Sequence, residues 1–229
     1  MSLALKVVSS MATRHVLDEL VRAFERRAAA TVELESVGGV DAARRVRAGE
    51  PVDVVVLAAD VIDRLAEERW IAAGSRVDVA RSGVAVAIRA GAPRPDIGSE
   101  DAVRRAVLAA SGIGVSTGPS GTHLARLFER WGIADAVRGR LVQAPPGVPV
   151  GSLVACGDVA LGFQQLAELI HLPGIDVLGP LPDTIQFMTT FSGGMGTSCA
   201  RGDAARGLLA FLASPEATQA KRRHGLEPA

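Results

Sequence analysis

The chain has 229 residues, with 25 Lys and Arg against 25 Asp and Glu, so its formal net charge is zero, and 48% of its residues are hydrophobic. This apolar fraction can build a core and excludes wholesale disorder, while the length allows one large domain or two small ones. The balanced charge disfavours a general nucleic-acid or membrane-surface binder, and the low aromatic content (3%, with no Tyr) disfavours a platform that stacks bases or sugars.

The cysteines and the apolar stretches exclude several other classes. Cys156 and Cys199 are far apart and fit no metal-ligand spacing, so we interpret them as small buried hydrophobes and leave a disulfide open. We predict no metal and no cofactor. No stretch is apolar and long enough for a transmembrane helix. If Met1-Ser2-Leu3 replaces a removed signal sequence, the protein is periplasmic, and otherwise it is cytoplasmic.

Strand-like and helix-like segments alternate along the whole chain. Strands are predicted at residues 5–9, 31–37, 53–57, 81–89, 112–116, 139–142, 158–163, 175–178 and 184–191. Helices are predicted at 11–30, from Gly38-Gly39 to Gly49, after Asp60 as N-cap, at 99–110 and 123–131, up to Ala155, and at 164–170, 204–213 and 215–223. Such alternation is typical of parallel sheets covered by helices.

Two long strands indicate how the chain is divided. Val84–Arg89 and Ile185–Phe191 can carry the chain out of one lobe and back into it. We therefore predict an α/β protein with two lobes, each a mostly parallel sheet flanked by helices, joined by two crossover strands. Lobe 1 would hold residues 1–83 and 190–229 with both termini, and lobe 2 would be the inserted residues 84–189. A ligand cleft is expected between the lobes.

Small polar residues and glycines recur between a strand and the next helix. In open α/β sheets ligands lie beyond the carboxyl ends of strands, where backbone N–H groups and helix N-termini favour anions. The alternative is that these residues have only structural roles, as helix caps and in turns. The predicted ligand-binding residues in these loops are Ser9, Ser10, Thr13, Gly38, Gly39, Ala58, Ala59, Ser116, Ser120, Gly121 and Thr122.

A few charged and titratable residues accompany these loops. His15 and His123 each lie near the start of a helix after a candidate loop, and could donate to an anion or move a proton. Arg14 and Arg81 lie near the same strand ends and could pair with carboxylates. The alternatives are capping or surface histidines and solvated arginines. Ser120 is disfavoured as a nucleophile, because its surroundings are one residue short of the hydrolase Gly-x-Ser-x-Gly pattern.

Several segments together resemble the molybdate-binding-protein branch of the solute receptors of ABC importers. They are Lys6–Ser10, Gly38-Gly39, Ala48-Gly49-Glu50-Pro51-Val52-Asp53-Val54, the loop at residues 116–122, Gly157–Phe163 and Phe211–Ala217, and they span most of the chain. The resemblance implies the type II periplasmic binding protein fold, hinge closure, and an oxyanion held by hydroxyls and backbone N–H groups of both lobes. It also implies a membrane component of an importer as partner, with neither nucleic acid nor direct membrane insertion.

The resemblance also draws attention to the loop after Phe163. Members that bind molybdate have a Tyr in this region, whereas this sequence offers Gln164 and Gln165 as ligand-binding residues. Those members also have a second Ser or Thr near the position of Gly38-Gly39, whereas here only Ser36 is close. These departures favour a carboxylate-bearing organic anion over molybdate, as do the nearby arginines and histidines.

Three functions are compatible with this sequence. The favoured one is a binding protein that captures a small anion for import. The alternative is an isomerase of an unsaturated carboxylic acid such as aconitate. Some proteins that are similar to this family catalyse such isomerisations. The base of this isomerase would be His15 or His123, and Arg14 or Arg81 would hold a carboxylate. A ligand-sensing domain is the weakest of the three.

Overall fold

The computed structural model describes residues 4–28, 30–145 and 147–229. The leader interpretation of residues 1–3 lies outside this range, as do Ala29 of the first predicted helix and Pro146 of a predicted loop. The chain forms two compact units. The first comprises the described residues up to Ser82 together with Thr189–Ala229, and the second is Gly83–Met188.

The elements follow the predicted alternation. Up to the first crossing they are β1 (Leu5–Ser10), a 3-10 turn (Met11–Thr13), α1 (Arg14–Glu25), β2 (Val32–Val37), α2 (Gly39–Arg47), β3 (Val54–Ala58), α3 (Ala59–Glu67) and β4 (Val77–Arg89). The second unit continues with α4 (Glu100–Ala109), β5 (Ile113–Val115), α5 (Pro119–Arg130), α6 (Ala134–Val137), a 3-10 turn (Arg138–Arg140), β6 (Leu141–Gln143), α7 (Val150–Cys156), β7 (Leu161–Gln165), α8 (Leu166–Leu169) and β8 (Ile175–Pro180). The chain ends with β9 (Met188–Met195), α9 (Gly202–Ala213), a 3-10 turn (Pro215–Ala217), α10 (Thr218–Arg223) and β10 (Glu227–Pro228).

In the first unit, β1 is the central strand of three parallel strands. It pairs with β2 on one side and β3 on the other, and β9 runs antiparallel to β3. The register sets Ser10 opposite Val37, so β1, β2 and β3 end together at what we call the first carboxyl edge. β3 is buried along its whole length, as expected for a parallel strand covered on both faces.

In the second unit, β5 lies between β6 and β7 and is parallel to both, while β4 runs antiparallel to β7 and β8. The ends of β5, β6 and β7 form what we call the second carboxyl edge. Phe128 and Phe163 are fully buried in the core of this unit, between the strands and α5. The α/β class predicted from the sequence, with mostly parallel strands flanked by helices, is confirmed.

Several boundaries differ from the predictions. The first helix begins with a 3-10 turn, and α3 has Ala58 rather than Asp60 as its N-cap. α5 begins at Pro119 instead of His123, because Pro is well suited to the first helical position. The predicted helix at 164–170 shrinks to α8, since β7 continues through Gln165, and the last long strand lies at 188–195 rather than 184–191.

The interpretation of the cysteines is wrong. Cys156 is exposed and Cys199 is partly buried, and both are free thiols. Cys156 is the last residue of α7 and precedes Gly157, whose left-handed backbone ends that helix at the surface. Among the described residues, every helix is too short or too polar to cross a bilayer.

Candidate ligand-binding site

Hydroxyl side chains cluster where β1 reaches the first carboxyl edge. Ser9 is fully buried, and its Oγ lies 2.8 Å from Ser36 Oγ on β2. Thr13 Oγ1 donates to the Ser10 carbonyl oxygen at 3.1 Å and closes the turn, while the Ser10 and Thr13 hydroxyls are 3.5 Å apart. Ser9 is therefore engaged with the sheet, whereas among the described residues the one side-chain contact of the Ser10 hydroxyl is this long one.

Two helices begin at the same edge without a side-chain cap. α2 follows Gly38 and α3 follows Ala58, and neither residue carries a side-chain acceptor. By contrast, Ser99 caps α4, its Oγ accepting from Ala102 N at 3.2 Å. The first N–H groups of α2 and α3 thus remain for water or an anion. Gly39 and Ala59 therefore lie at one edge with Ser10.

The three predicted charged or titratable site residues of the first unit, Arg14, His15 and Arg81, have different contacts. Arg14 is exposed at the first position of α1 and forms no ion pair within the part of the chain that the structure describes. His15 instead stacks on His224, with ring centroids 6.3 Å apart. Burial, followed by the charges of Arg14 and His224, lowers the pKa of His15. Arg81 Nε donates to the Pro228 carbonyl oxygen at 3.2 Å. His15 and Arg81 are therefore engaged with the C-terminal residues.

A tight turn follows β5 at the second carboxyl edge. The Ser116 and Ser120 hydroxyls lie 2.9 Å apart, Gly118 N donates to Ser116 Oγ at 3.2 Å, and Thr122 Oγ1 donates to the Gly118 carbonyl at 3.4 Å. A Cβ at Gly121 would lie 1.9 Å from the Ser116 carbonyl oxygen, so only glycine fits there. Like α2 and α3, α5 begins after a residue with no side-chain acceptor, Gly118.

His123 lies on the first turns of α5, three residues after Ser120 and hence on the same side of the helix. Its Nε2 is 2.9 Å from the Ile185 carbonyl oxygen, and its ring stacks on Phe187 with centroids 4.9 Å apart. Because a carbonyl only accepts, Nε2 carries the proton in the neutral ring and Nδ1 keeps its lone pair. Within the described residues, no hydrogen bond reaches Nδ1.

Gln164 and Gln165 end β7 at the second carboxyl edge, and both are buried. Gln164 Oε1 accepts from Val150 N at 2.8 Å, and its Nε2 donates to Glu168 Oε2 at 2.5 Å. Burial raises the pKa of Glu168 to about 7. The Gln164 amide therefore connects the start of α7 to β7 and α8.

The structure thus places the predicted residues in two groups, one at each carboxyl edge. The first group is Ser9, Ser10, Thr13, Gly38, Gly39, Ala58 and Ala59, and the second is Ser116, Ser120, Gly121, Thr122, Gln164 and Gln165. Sequence reasoning missed Glu168, because Gln164 lies in β7 and Glu168 in α8, so no helical spacing links them. No local signal marks Ile185 or Phe187, which meet His123 only in the folded chain.

In the described part of the chain, no group of three or more His, Cys, Asp or Glu side chains is arranged to hold a metal ion. What the two edges offer is backbone N–H groups, hydroxyls and amides. These groups and the open α/β sheets define a class of protein that binds small polar or anionic ligands at strand ends.

The comparisons with known proteins identify the family. A model of the family described as bacterial extracellular solute-binding protein matches residues 5–227. The chain belongs to this family. This confirms the resemblance seen in the sequence to the type II solute-binding proteins.

Individual relatives are similar in sequence or in fold. A Pseudomonas protein named aconitate isomerase is 37% identical over 230 aligned positions, covering 98% of this chain and 87% of the relative. The periplasmic molybdate-binding protein of Azotobacter vinelandii superposes with a TM-score of 0.81 at 21% identity, over 97% of this chain and 98% of that one. A tungstate ABC transporter protein from Geobacter sulfurreducens gives 0.75 at 17% identity, over 95% and 97% of the two chains. These two structures share the fold.

Proposed function

We propose that this chain binds an unsaturated tricarboxylate of the aconitate class and catalyses its isomerisation. The observation that carries the proposal is the similarity to a protein named aconitate isomerase over nearly the whole chain. The proposal reverses the order of preference reached from the sequence, where import of an anion came first. The absence of Tyr, with glutamines at the end of β7, supports a carboxylate ligand in the same way.

The isomerisation moves one proton. A base removes it from the methylene carbon next to a carboxylate, and the electron pair delocalises through the adjacent double bond into the carboxylates. A proton then adds to the other end of this allyl system, so the double bond shifts by one position. Atoms and charge balance without a co-reactant. The protein must supply a base and donors for the negative charge that develops.

His123 fits the role of base better than His15. The Ile185 carbonyl fixes its proton on Nε2, which leaves Nδ1 as the acceptor. His15, by contrast, stacks on His224 and is engaged with the C-terminal helix. Of the two arginines, Arg14 at the start of α1 is the one without an ion pair among the described residues, so it is the one available to an anion at the first carboxyl edge. Backbone N–H groups at the start of α5, on the same helix as His123, would stabilise the charge that develops.

Proton exchange tests the reaction. The protein is incubated with cis-aconitate in heavy water, and proton NMR follows both the trans isomer and loss of the exchangeable proton signals. We expect isomerisation with deuterium uptake, strongly reduced in His123→Gln and retained in the matched control His171→Gln, whose histidine lies in the turn after α8. Neither exchange nor isomerisation in the wild-type protein would reject the enzyme.

A second candidate is a binding protein that delivers the same class of anion to an importer. The family match and the fold shared with periplasmic binding proteins favour it. A ligand at 100 times its Kd stabilises a protein by about 2.7 kcal/mol, which for a chain of this size raises the Tm by roughly 5–10 °C. We expect this shift from cis-aconitate, trans-aconitate and the saturated analogue tricarballylate. A larger shift with molybdate or tungstate would reject the carboxylate ligand.

Delivery to an importer would also require the protein to be outside the cytoplasmic membrane. Fractionation of the native host, with the N-terminus of the mature protein sequenced, tests this location. Binding without turnover, in a periplasmic protein, would favour the import function, whereas turnover would favour the isomerase.

A further inference from the structure

The side chain of His123 is held by one short segment of the second unit, Ile185–Phe187. The imidazole Nε2–H donates to the Ile185 carbonyl at 2.9 Å, and the ring lies almost parallel to Phe187, with an interplanar angle of 14°. Ile185 itself is buried. The orientation of the imidazole and the position of its proton therefore depend on where this segment lies.

Gln186 fixes the segment through its side-chain amide. Its Oε1 accepts from the backbone N–H of Val84 and of Phe187, both at 2.9 Å. Its Nε2 donates to the carbonyl oxygens of Val84 at 3.1 Å and of Leu181 at 3.3 Å. An amide has two donors and two main acceptor positions, and all four are used. The side chain pairs with Val84 as a neighbouring strand would.

The space for this amide is built into β4. A Cβ at Gly83 would lie 3.0 Å from Gln186 Nε2, closer than real side chains normally approach, so the glycine leaves room for the amide beside the strand. The amide does not touch the predicted ligand-binding residues. Its bonds go to the backbone of Val84, Leu181 and Phe187, and Phe187 belongs to the segment that holds His123.

We propose that Gln186 is a positioning residue that sets the orientation and the tautomer of His123. The link to catalysis rests on the proposed isomerase function, whereas the effect on the imidazole does not. If Gln186 lost its bonds, the Ile185 carbonyl would move, and both ring nitrogens would compete for the proton. A base displaced by about 1 Å can lower a rate by roughly 100-fold.

The first measurement needs no ligand. Nitrogen-15 NMR of the imidazoles in the free protein, assigned with His123→Gln, distinguishes the Nε2–H from the Nδ1–H form. We expect the Nε2–H form in the wild-type protein and a mixture in Gln186→Leu. The matched control Gln143→Leu, at an exposed position on β6, should keep the wild-type spectrum. A folded Gln186→Leu protein with an unchanged His123 spectrum would overturn the proposal.

Gln186→Glu serves as a second variant in case Gln186→Leu fails to fold. It keeps the acceptor for Val84 N and Phe187 N but loses the donor to the two carbonyls, so we expect a partial shift of the tautomer. With cis-aconitate, both variants should lower kcat by about 10- to 100-fold with little change in KM. A changed tautomer in a protein without isomerase activity would support the positioning role and reject only the proposed reaction.

Discussion

Gly121 offers the most direct test of the turn at the second carboxyl edge. A Cβ there would lie 1.9 Å from the Ser116 carbonyl oxygen and 2.9 Å from its carbon. Both atoms belong to the backbone, so no change of rotamer can relieve the clash. In Gly121→Ala either the turn after β5 or the start of α5 must move by more than an ångström.

The expected cost follows from this overlap. Overpacking costs about 1–3 kcal/mol, and the better helix propensity of Ala returns up to about 1 kcal/mol. Because backbone must move, we expect Gly121→Ala to lower the free energy of unfolding by about 2 kcal/mol. Gly207→Ala on α9 is the matched control. Its Cβ would meet only ring atoms of Phe24, the nearest at 3.8 Å, so we expect a gain of about 0.5–1 kcal/mol.

The two tryptophans make the assay specific for each unit. Trp70 lies in the first unit and Trp131 in the second, so Trp70→Phe leaves a protein whose fluorescence reports the second unit alone. Urea unfolding in that background should show a lower midpoint for Gly121→Ala. The control is read at Trp70 in a Trp131→Phe background. A Gly121→Ala protein as stable as its parent would refute the close approach of Ser116 and Gly121.

Three further predictions concern buried or partly buried polar groups. The pKa of Glu168 is raised from 4.5 to about 7, so the folded state holds this proton more tightly and stability falls as the pH rises through that range. Glu168→Gln should remove this pH-dependent loss of stability, which amounts to at most on the order of 3 kcal/mol. Equal urea midpoints for the variant and the wild type across that pH range would contradict this prediction. The pKa of His15 is lowered, so stability is lost as the pH falls below the ordinary value of 6.5, and His15→Phe, which keeps a ring against His224, should retain more of its Tm in acid. Ser9→Ala breaks the 2.8 Å contact with Ser36 and should lower the free energy of unfolding, measured with urea, by about 1 kcal/mol. An unchanged midpoint would show that this contact does not contribute to stability.

The alternation of strands and helices could be predicted because it is a local property. Continuous apolar runs such as Val54–Ala58 indicate strands buried on both faces, and amphipathic spacing indicates the helices. The end of β9 could not be predicted in this way. Gly193 and Gly194 are poor strand formers, yet both lie in the strand. A Cβ at Gly193 would lie 2.6 Å from Leu209, and a Cβ at Gly194 would lie 2.6 Å from Ile71, so the packing there requires glycine. Tertiary packing at these two positions outweighs propensity.

The hydroxyls and glycines at the strand ends could also be predicted, since their position relative to strands and helices is local. The partners of the titratable residues could not. His15 meets His224, which is more than two hundred residues away in the sequence, and His123 meets Ile185. Such contacts give two similar histidines different surroundings, and one sequence contains no signal for them.

The groups at the two carboxyl edges explain how one scaffold can serve both binding and catalysis. Backbone N–H groups, hydroxyls and amides hold an anion without any excess of Lys or Arg, which agrees with a net charge of zero. Near neutral pH none of these groups takes up or releases a proton, so a site built from them alone binds its ligand unchanged. One imidazole with a fixed proton and a free lone pair supplies the missing step. If the proposed isomerase uses His123 as this group, His123→Gln should retain tricarboxylate affinity and lose turnover.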